Sequence, residues 1–151
     1  TYHWEQTFPS ARPVMVEHSY QPVTGFTFLV SEDGDLDRLT TEYKEQYCLE
    51  PATRSGVERL IAEASKANTQ DDYWSYVFVK TVSYVLTTGA NWKGPIGHFE
   101  LIIDKLTPDA ILSLCIDGIK KIGPTTFKVE RDNFKPTEDI NFVVFDLDKQ
   151  Q

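Results

Sequence analysis

Apolar and polar residues alternate along much of the chain, and a period of two predicts β-strands. The alternation at residues 2–8 and 14–20, interrupted by two prolines, predicts an N-terminal hairpin with one aromatic face. A short third run covers residues 25–30. Five more apolar runs follow in the later half, separated by turn residues, at 76–86, 99–104, 111–116, 125–129 and 140–145. These runs predict mostly antiparallel strands.

A helical period interrupts the strand pattern at about residues 36–67. Apolar side chains recur there every three or four positions, in one stripe before Pro51 and another after it: Leu36, Leu39, Tyr43, Tyr47, Val57, Leu60, Ile61 and Ala64. Ser55 followed by Glu58 predicts a capping box at the start of the second helix. We therefore predict an α+β fold: mainly antiparallel, β-sandwich-like sheets with a two-helix insertion between the early and late strands.

The composition allows a sizeable core and argues against several classes of partner. The 151 residues fit one domain or a large part of one, and 40% of them are hydrophobic. A formal net charge of −8 argues against nucleic acid or an anionic membrane as partner, because both require a basic face. No run approaches the roughly 18 apolar residues of a membrane span, so we expect no integral membrane segment.

The segment TTGANWKGPIG at residues 87–97 places a tryptophan in a turn-rich stretch between two apolar runs. We expect Trp92 to fold back and close the open end of the core, while the glycines provide unusual dihedrals or close approach. The alternative is an exposed anchor for a sugar ring or a protein partner, since aromatic residues are favoured in binding hot spots. On that second interpretation, the candidate binding residues are Trp92, Lys93, His98 and Trp4.

Side chains that could carry chemistry are scattered along the chain. Three carboxylates have the alternate spacing of a calcium-binding loop, namely Asp33, Asp35 and Asp37. The glycine and the final glutamate of such a loop are missing, so we expect a solvated acidic turn before the helix. The histidines are too widely spaced for a metal site: His3, His18 and His98. With no hydrolase, phosphate-loop or metalloprotease motif, the sequence predicts no catalytic residue, metal or cofactor.

Several segments of the sequence together resemble one protein family. They are WEQTFP at 4–9, VEHSYQPVTG at 16–25, QYCLE at 46–50, YVLTTGANWKGPIGHFELIIDK at 84–105 and LCIDGIKKIGPTTFKVERDNFKPTEDINFVVF at 114–145. The family is the uncharacterised, exported bacterial domain-of-unknown-function family 4424. His98 stands where the family pattern more often has an acidic residue. No activity is established for the family, so the resemblance carries over no catalytic residue.

The chain has two cysteines, Cys48 and Cys115. Their number alone is compatible with one disulfide or with two unpaired thiols. The resemblance implies export to the periplasm or the outside of the cell, where thiols tend to pair, and therefore favours the bridge. It also implies that residues 1–151 are a single domain or the C-terminal part of a longer, β-rich exported protein.

The function that these observations favour is a non-enzymatic module that binds a protein partner or a glycan. The alternative is a secreted hydrolase or thiol enzyme that uses a histidine with a cysteine or a carboxylate. We also expect a homodimer or association with a missing N-terminal segment, because unpaired N-terminal strands could complete another chain's sheet.

Overall fold

The computed structural model describes residues 5–19, 21–29, 35–68 and 75–147. These ranges contain, in order, β1 (Gly25–Leu29), α1 (Asp35–Tyr47), α2 (Pro51–Asn68), β2 (Val77–Tyr84), a 3-10 helix (Thr87–Asn91), β3 (Ile96–Asp104), β4 (Ile111–Leu114), β5 (Lys120–Lys121), β6 (Thr126–Phe134) and β7 (Ile140–Leu147). Both predicted helices and the six apolar runs from residue 25 onwards are confirmed. The two-residue β5 has no counterpart in the sequence pattern.

The strands form two antiparallel sheets. The four-stranded sheet has the order β1-β2-β7-β4, and the three-stranded sheet has the order β3-β6-β5. The last strand of the chain, β7, pairs with both β2 and β4 and so completes the middle of the larger sheet. This arrangement confirms the predicted α+β fold with a two-helix insertion, while sandwich-like packing of the two sheets stays a prediction.

The main core lies between the two helices and one face of the four-stranded sheet. Val77 and Val79 of β2 and Val143 and Phe145 of β7 alternate along their strands, and all four are fully buried. They form one cluster with helix side chains that include Leu39, Tyr47, Val57, Leu60 and Ala64. Burial of each valine, leucine or phenylalanine side chain in this cluster stabilises the fold by about 1.5–3 kcal/mol, so the cluster holds the helices against the sheet.

A disulfide joins the end of α1 to the end of β4. It links Cys48, which directly follows α1, to Cys115, which directly follows β4. Cys48 has a φ of 50°, in the left-handed region, where the chain turns from the first helix towards the second. The Ser113 hydroxyl donates to the Tyr47 carbonyl at 2.8 Å beside the bridge. The bridge implied by the resemblance is thus present, and two unpaired thiols are excluded.

Two predictions of secondary structure are wrong in the part of the chain that the structure describes. Residues 5–8 and 14–19 form no strand, and every residue from 5 to 19 is exposed. The capping box at Ser55 and Glu58 is also wrong, because α2 begins one turn earlier at Pro51. Proline suits the first helical position, where its missing N–H has no partner to lose. Glu58 instead accepts a hydrogen bond from Arg54 Nε at 3.0 Å.

None of the helices in the described ranges combines the length and the apolar character that a membrane span requires.

Candidate functional site

A cleft of about 780 Å³ is lined by residues of both sheets. Its walls are residues 82–84 at the end of β2, residues 99–104 of β3, Ile140 and Phe142 of β7, and the extended segment 21–23 before β1. Six consecutive residues of β3 line it. A cleft over one face of a strand would be lined by alternate residues, so this cleft runs along the edge of β3.

The walls of the cleft are mainly apolar and aromatic. Tyr84, Phe99 and Phe142 contribute rings, and Val23 stands at the rim with 98% of its surface exposed. Tyr84 is half-exposed, so its ring is open to a ligand. Aromatic and aliphatic walls with a few polar groups are typical of binding clefts. The arrangement favours an apolar ligand surface over a strongly hydrated one.

Two strand stretches beside the cleft have an unpaired backbone edge among the described residues. β3 is an outer strand of its sheet and pairs only with β6. β1 pairs with β2 only as far as Gly25 opposite Thr81, so residues 82–84 pair with β7 alone. The chain before β1 does not continue the pairing, and Pro22 has no N–H to donate. Unpaired N–H and C=O groups therefore border the cleft.

The face of β3 and β6 that carries the even-numbered residues holds several charged side chains together with the exposed Ile102. Opposite Glu100 lies Glu130, and opposite His98 lies Asp132. The Lys128 ammonium lies between the two glutamates, with Nζ 2.7 Å from an oxygen of each. We call Glu100, Asp104, Glu130 and Asp132 the acidic row. Four carboxylates and one ammonium leave this face with a negative balance.

His98 forms a close pair with a carboxylate. Its Nδ1 is 2.8 Å from Asp132 Oδ1, and this hydrogen bond is the main reason that the pKa of His98 lies above its ordinary value. The pKa of Glu130 is lowered, chiefly by its hydrogen bond from Lys128. Within the described ranges, Asp132 is the one side chain hydrogen-bonded to the His98 ring. No hydroxyl or thiol nucleophile is therefore hydrogen-bonded to the His98 ring among the described residues.

The thiol-enzyme alternative finds no free thiol in the disulfide-bonded form of the chain. Both cysteine sulfurs are in the disulfide, and Cys48 and Cys115 therefore offer no nucleophile or titrating thiol. The remaining form of the alternative, a histidine with a carboxylate, has the His98–Asp132 contact but an exposed setting. The His98 side chain is 59% exposed and that of Asp132 is 78% exposed, whereas catalytic groups work best where water is excluded.

One group of side chains has the composition of a cation site. Potential ligand atoms of His98, Glu100 and Glu130 all lie within 4.8 Å of one another. The Lys128 ammonium already lies against both carboxylates, so a metal ion would have to displace it. The sequence prediction of no metal did not consider this group, because the three residues come together only through the register of β3 with β6.

The predicted role of Trp92 as a plug for the core is wrong. Trp92 is 65% exposed. Gly89, inside the 3-10 helix, makes the close approach instead, because an added Cβ there would lie 3.2 Å from Pro136 Cγ. Lys93 is exposed as well, and both residues lie shortly before β3. Gly94 and Gly97 have open space where a Cβ would be, and neither has a positive φ, so they provide neither the close approach nor the left-handed dihedral that we expected.

The other candidate residues fall in three places. Trp4 and Asp33 lie outside the described residues. Asp37 pairs with Arg54 Nη2 at 2.5 Å and so belongs to the contact between the helices rather than to a calcium loop. His18 lies in the exposed N-terminal segment, not on a buried strand face.

The comparisons with known proteins identify a family. A family model described as Domain of unknown function (DUF4424) matches residues 1–143. The comparison with curated proteins gives no match, and the comparison with solved structures gives none. Because the matched residues cover nearly the whole chain, this chain belongs to the DUF4424 family of domains of unknown function.

Proposed function

We propose that this chain is an exported, non-enzymatic binding module that holds a segment of a protein partner in the cleft between β2 and β3. The observation that carries the proposal is the combination of apolar walls and an unpaired strand edge along one cleft. Such a combination suits a polypeptide, which offers side chains to the walls and main-chain groups to the edge.

Export is supported by the disulfide between Cys48 and Cys115. Structural disulfides persist in oxidising compartments and are rare in the cytosol of most organisms. The periplasm or the outside of the cell is accordingly the proposed location, in line with what the family resemblance implies.

A protein partner is favoured over a glycan by the chemistry of the cleft. Sugar sites need several polar groups directed at hydroxyls, whereas the cleft is lined mainly by residues such as Val82, Leu101, Ile103 and Phe142. The exposed Trp92 and Lys93 lie at the approach to β3 and extend the proposed contact surface. Homodimerisation, or association with an earlier part of the family chain, remains a separate proposal that light scattering can test.

Selection from a peptide display library tests the proposed function. We expect selected peptides to bind the wild-type chain and to lose about tenfold in affinity for Tyr84→Ala and Val23→Asp, since aromatic anchors carry a large share of binding energy. Ile122→Asp is the matched control: Ile122 is also exposed (56%), but it lies beside β5, at the opposite edge of the three-stranded sheet. Failure to enrich any peptide, or equal binding by all three variants, would overturn the proposal.

A further inference from the structure

We infer that the partner segment adds to the open edge of β3 as an extra strand, and that lysine or arginine alternates with apolar residues along it. The inference rests on the proposed function and specifies the chemistry of the ligand. It combines three observations: an outer strand of nine residues, a cleft along its edge, and a different chemistry on each of its two faces.

The edge of β3 offers main-chain groups to an added strand. β3 has one hydrogen-bonded neighbour, β6, among the described residues. In an antiparallel pair, about half of the N–H and C=O groups of a strand point away from its neighbour. A strand added on that side would lie about 4.8 Å away, in the space that the cleft provides along residues 99–104.

The two faces of β3 dictate the side chains of the added strand. Leu101 and Ile103 lie on the less exposed face, and Phe99 shares it. Glu100 and Asp104 lie on the exposed face, on either side of the exposed Ile102, with Glu130 opposite Glu100 on β6. Only the positions next to Glu100 and Asp104 therefore call for a basic residue on that face. Side chains of neighbouring strands contact one another on the same face. The added strand should therefore present apolar residues on the first face and basic residues on the second.

The charge of the acidic row argues against a second copy of this chain as the occupant. Two copies of β3 paired edge to edge would bring Glu100 and Asp104 of one copy close to the same residues of the other. Like charges on adjacent strands destabilise pairing. The Lys128 ammonium offsets part of the negative charge at Glu100 and Glu130. Asp104 forms no ion pair with a basic side chain of the described residues. A basic strand is complementary where an acidic one is repelled.

The test uses the intact protein and synthetic peptides of nine residues, the length of β3. Fluorescence anisotropy would compare a peptide of alternating lysine and valine with one of alternating glutamate and valine. We expect the lysine peptide to bind at least about threefold more tightly at low salt, as weak surface ion pairs would give. Glu100→Lys should reduce that preference, while Ile122→Asp should leave it unchanged.

A second pair of peptides tests the strand geometry. In one peptide the backbone nitrogens of the valines are methylated, and in the other the backbone nitrogens of the lysines are methylated. Each peptide therefore loses the main-chain N–H groups along one of its two edges. Strand addition predicts that one of them keeps the parent affinity and the other loses about tenfold or more, because several main-chain hydrogen bonds are lost together. Equal affinities of the two methylated peptides would overturn strand addition.

The outcomes separate this inference from the proposed function. Binding that depends on Tyr84 and Val23 but on neither the peptide charge nor the methylated edge would overturn the inference and leave the cleft as a protein-binding site. Absence of binding by every peptide, or binding that is unaffected by Tyr84→Ala and Val23→Asp, would overturn both.

Discussion

Reduction of the disulfide between Cys48 and Cys115 gives the sharpest test of how the fold is held together. The bridge closes a loop with a sequence separation of 67. In the chain-entropy description, a loop of this length lowers the entropy of the unfolded chain enough to stabilise the folded state by about 4 kcal/mol at 25 °C. We expect native contacts to change little on reduction, because the buried cluster between the helices and the sheet includes neither cysteine.

The assay is urea unfolding followed by far-UV circular dichroism, with and without a thiol reductant. With a urea slope of about 2 kcal/mol per molar, a loss of about 4 kcal/mol should move the midpoint down by about 2 M. A double variant, Cys48→Ser with Cys115→Ser, should match the reduced protein and should not respond to reductant. Separate midpoints for the two would show that the substitutions act beyond the bridge.

Two results would refute this reasoning. A loss of less than about 1 kcal/mol would mean that the unfolded chain gains little freedom on reduction, contrary to the chain-entropy description. Complete unfolding of the reduced protein without urea would mean that the layer of Val77, Val79, Val143 and Phe145 does not hold the helices on the sheet by itself.

Three further predictions follow from single contacts. Phe145→Ala should destabilise the fold by about 3–5 kcal/mol in urea unfolding, because Phe145 is fully buried in the main core. Asp132→Asn should lower the pKa of His98 towards its ordinary value in an NMR titration. Because the pKa of His98 is raised in the folded state, the stability that the pair adds is fully present below the unfolded-state pKa of His98. That stability is lost as the pH rises through the folded-state pKa. Asp139 accepts hydrogen bonds from the backbone and hydroxyl of Thr87, which lower its pKa, so Asp139→Ala should speed hydrogen exchange of the Thr87 amide. The same contacts should add stability above the unfolded-state pKa of Asp139 and lose it as the pH falls through the lowered folded-state value, which an acid titration of wild type against Asp139→Ala measures; an unchanged exchange rate or acid profile would contradict this role.

The core of the fold could be predicted from the sequence because burial imposes a period. The stripes of α1 and α2 and the runs of β2 and β7 carry side chains that are buried on one face, and each element was recognised from that pattern. The residues 5–19 show alternation too, yet they are exposed and form no strand in the structure. An alternating segment forms a strand only where a neighbouring strand pairs with its backbone and a core buries its apolar face. The sequence does not reveal whether these neighbours are present.

The candidate site was only partly predictable, because it depends on register. The sequence makes His98 a candidate binding residue, but its pairing with Asp132 follows from the alignment of β3 with β6. Glu100 and Asp104 flank three consecutive apolar residues, 101–103, so the sequence does not show the two-faced character of this strand. The position of β3 at the edge of its sheet could not be predicted, because it depends on which strands pair with β3. In the structure, β6 pairs with one side of β3, and β5 lies beyond β6. The predicted position of Trp92 is wrong because the close contact of this segment with Pro136 is made by Gly89 and not by the Trp92 indole ring.

Hydrogen exchange of the β3 amides, measured with and without the alternating lysine and valine peptide, tests the central claim most directly. Strand addition predicts slower exchange at alternate residues within 99–104, with unchanged exchange in β5, which lies at the far edge of the same sheet. Unchanged exchange along β3 at saturating peptide, or slowing confined to another strand such as β1, would contradict the assignment of this cleft as the site where the chain binds its partner.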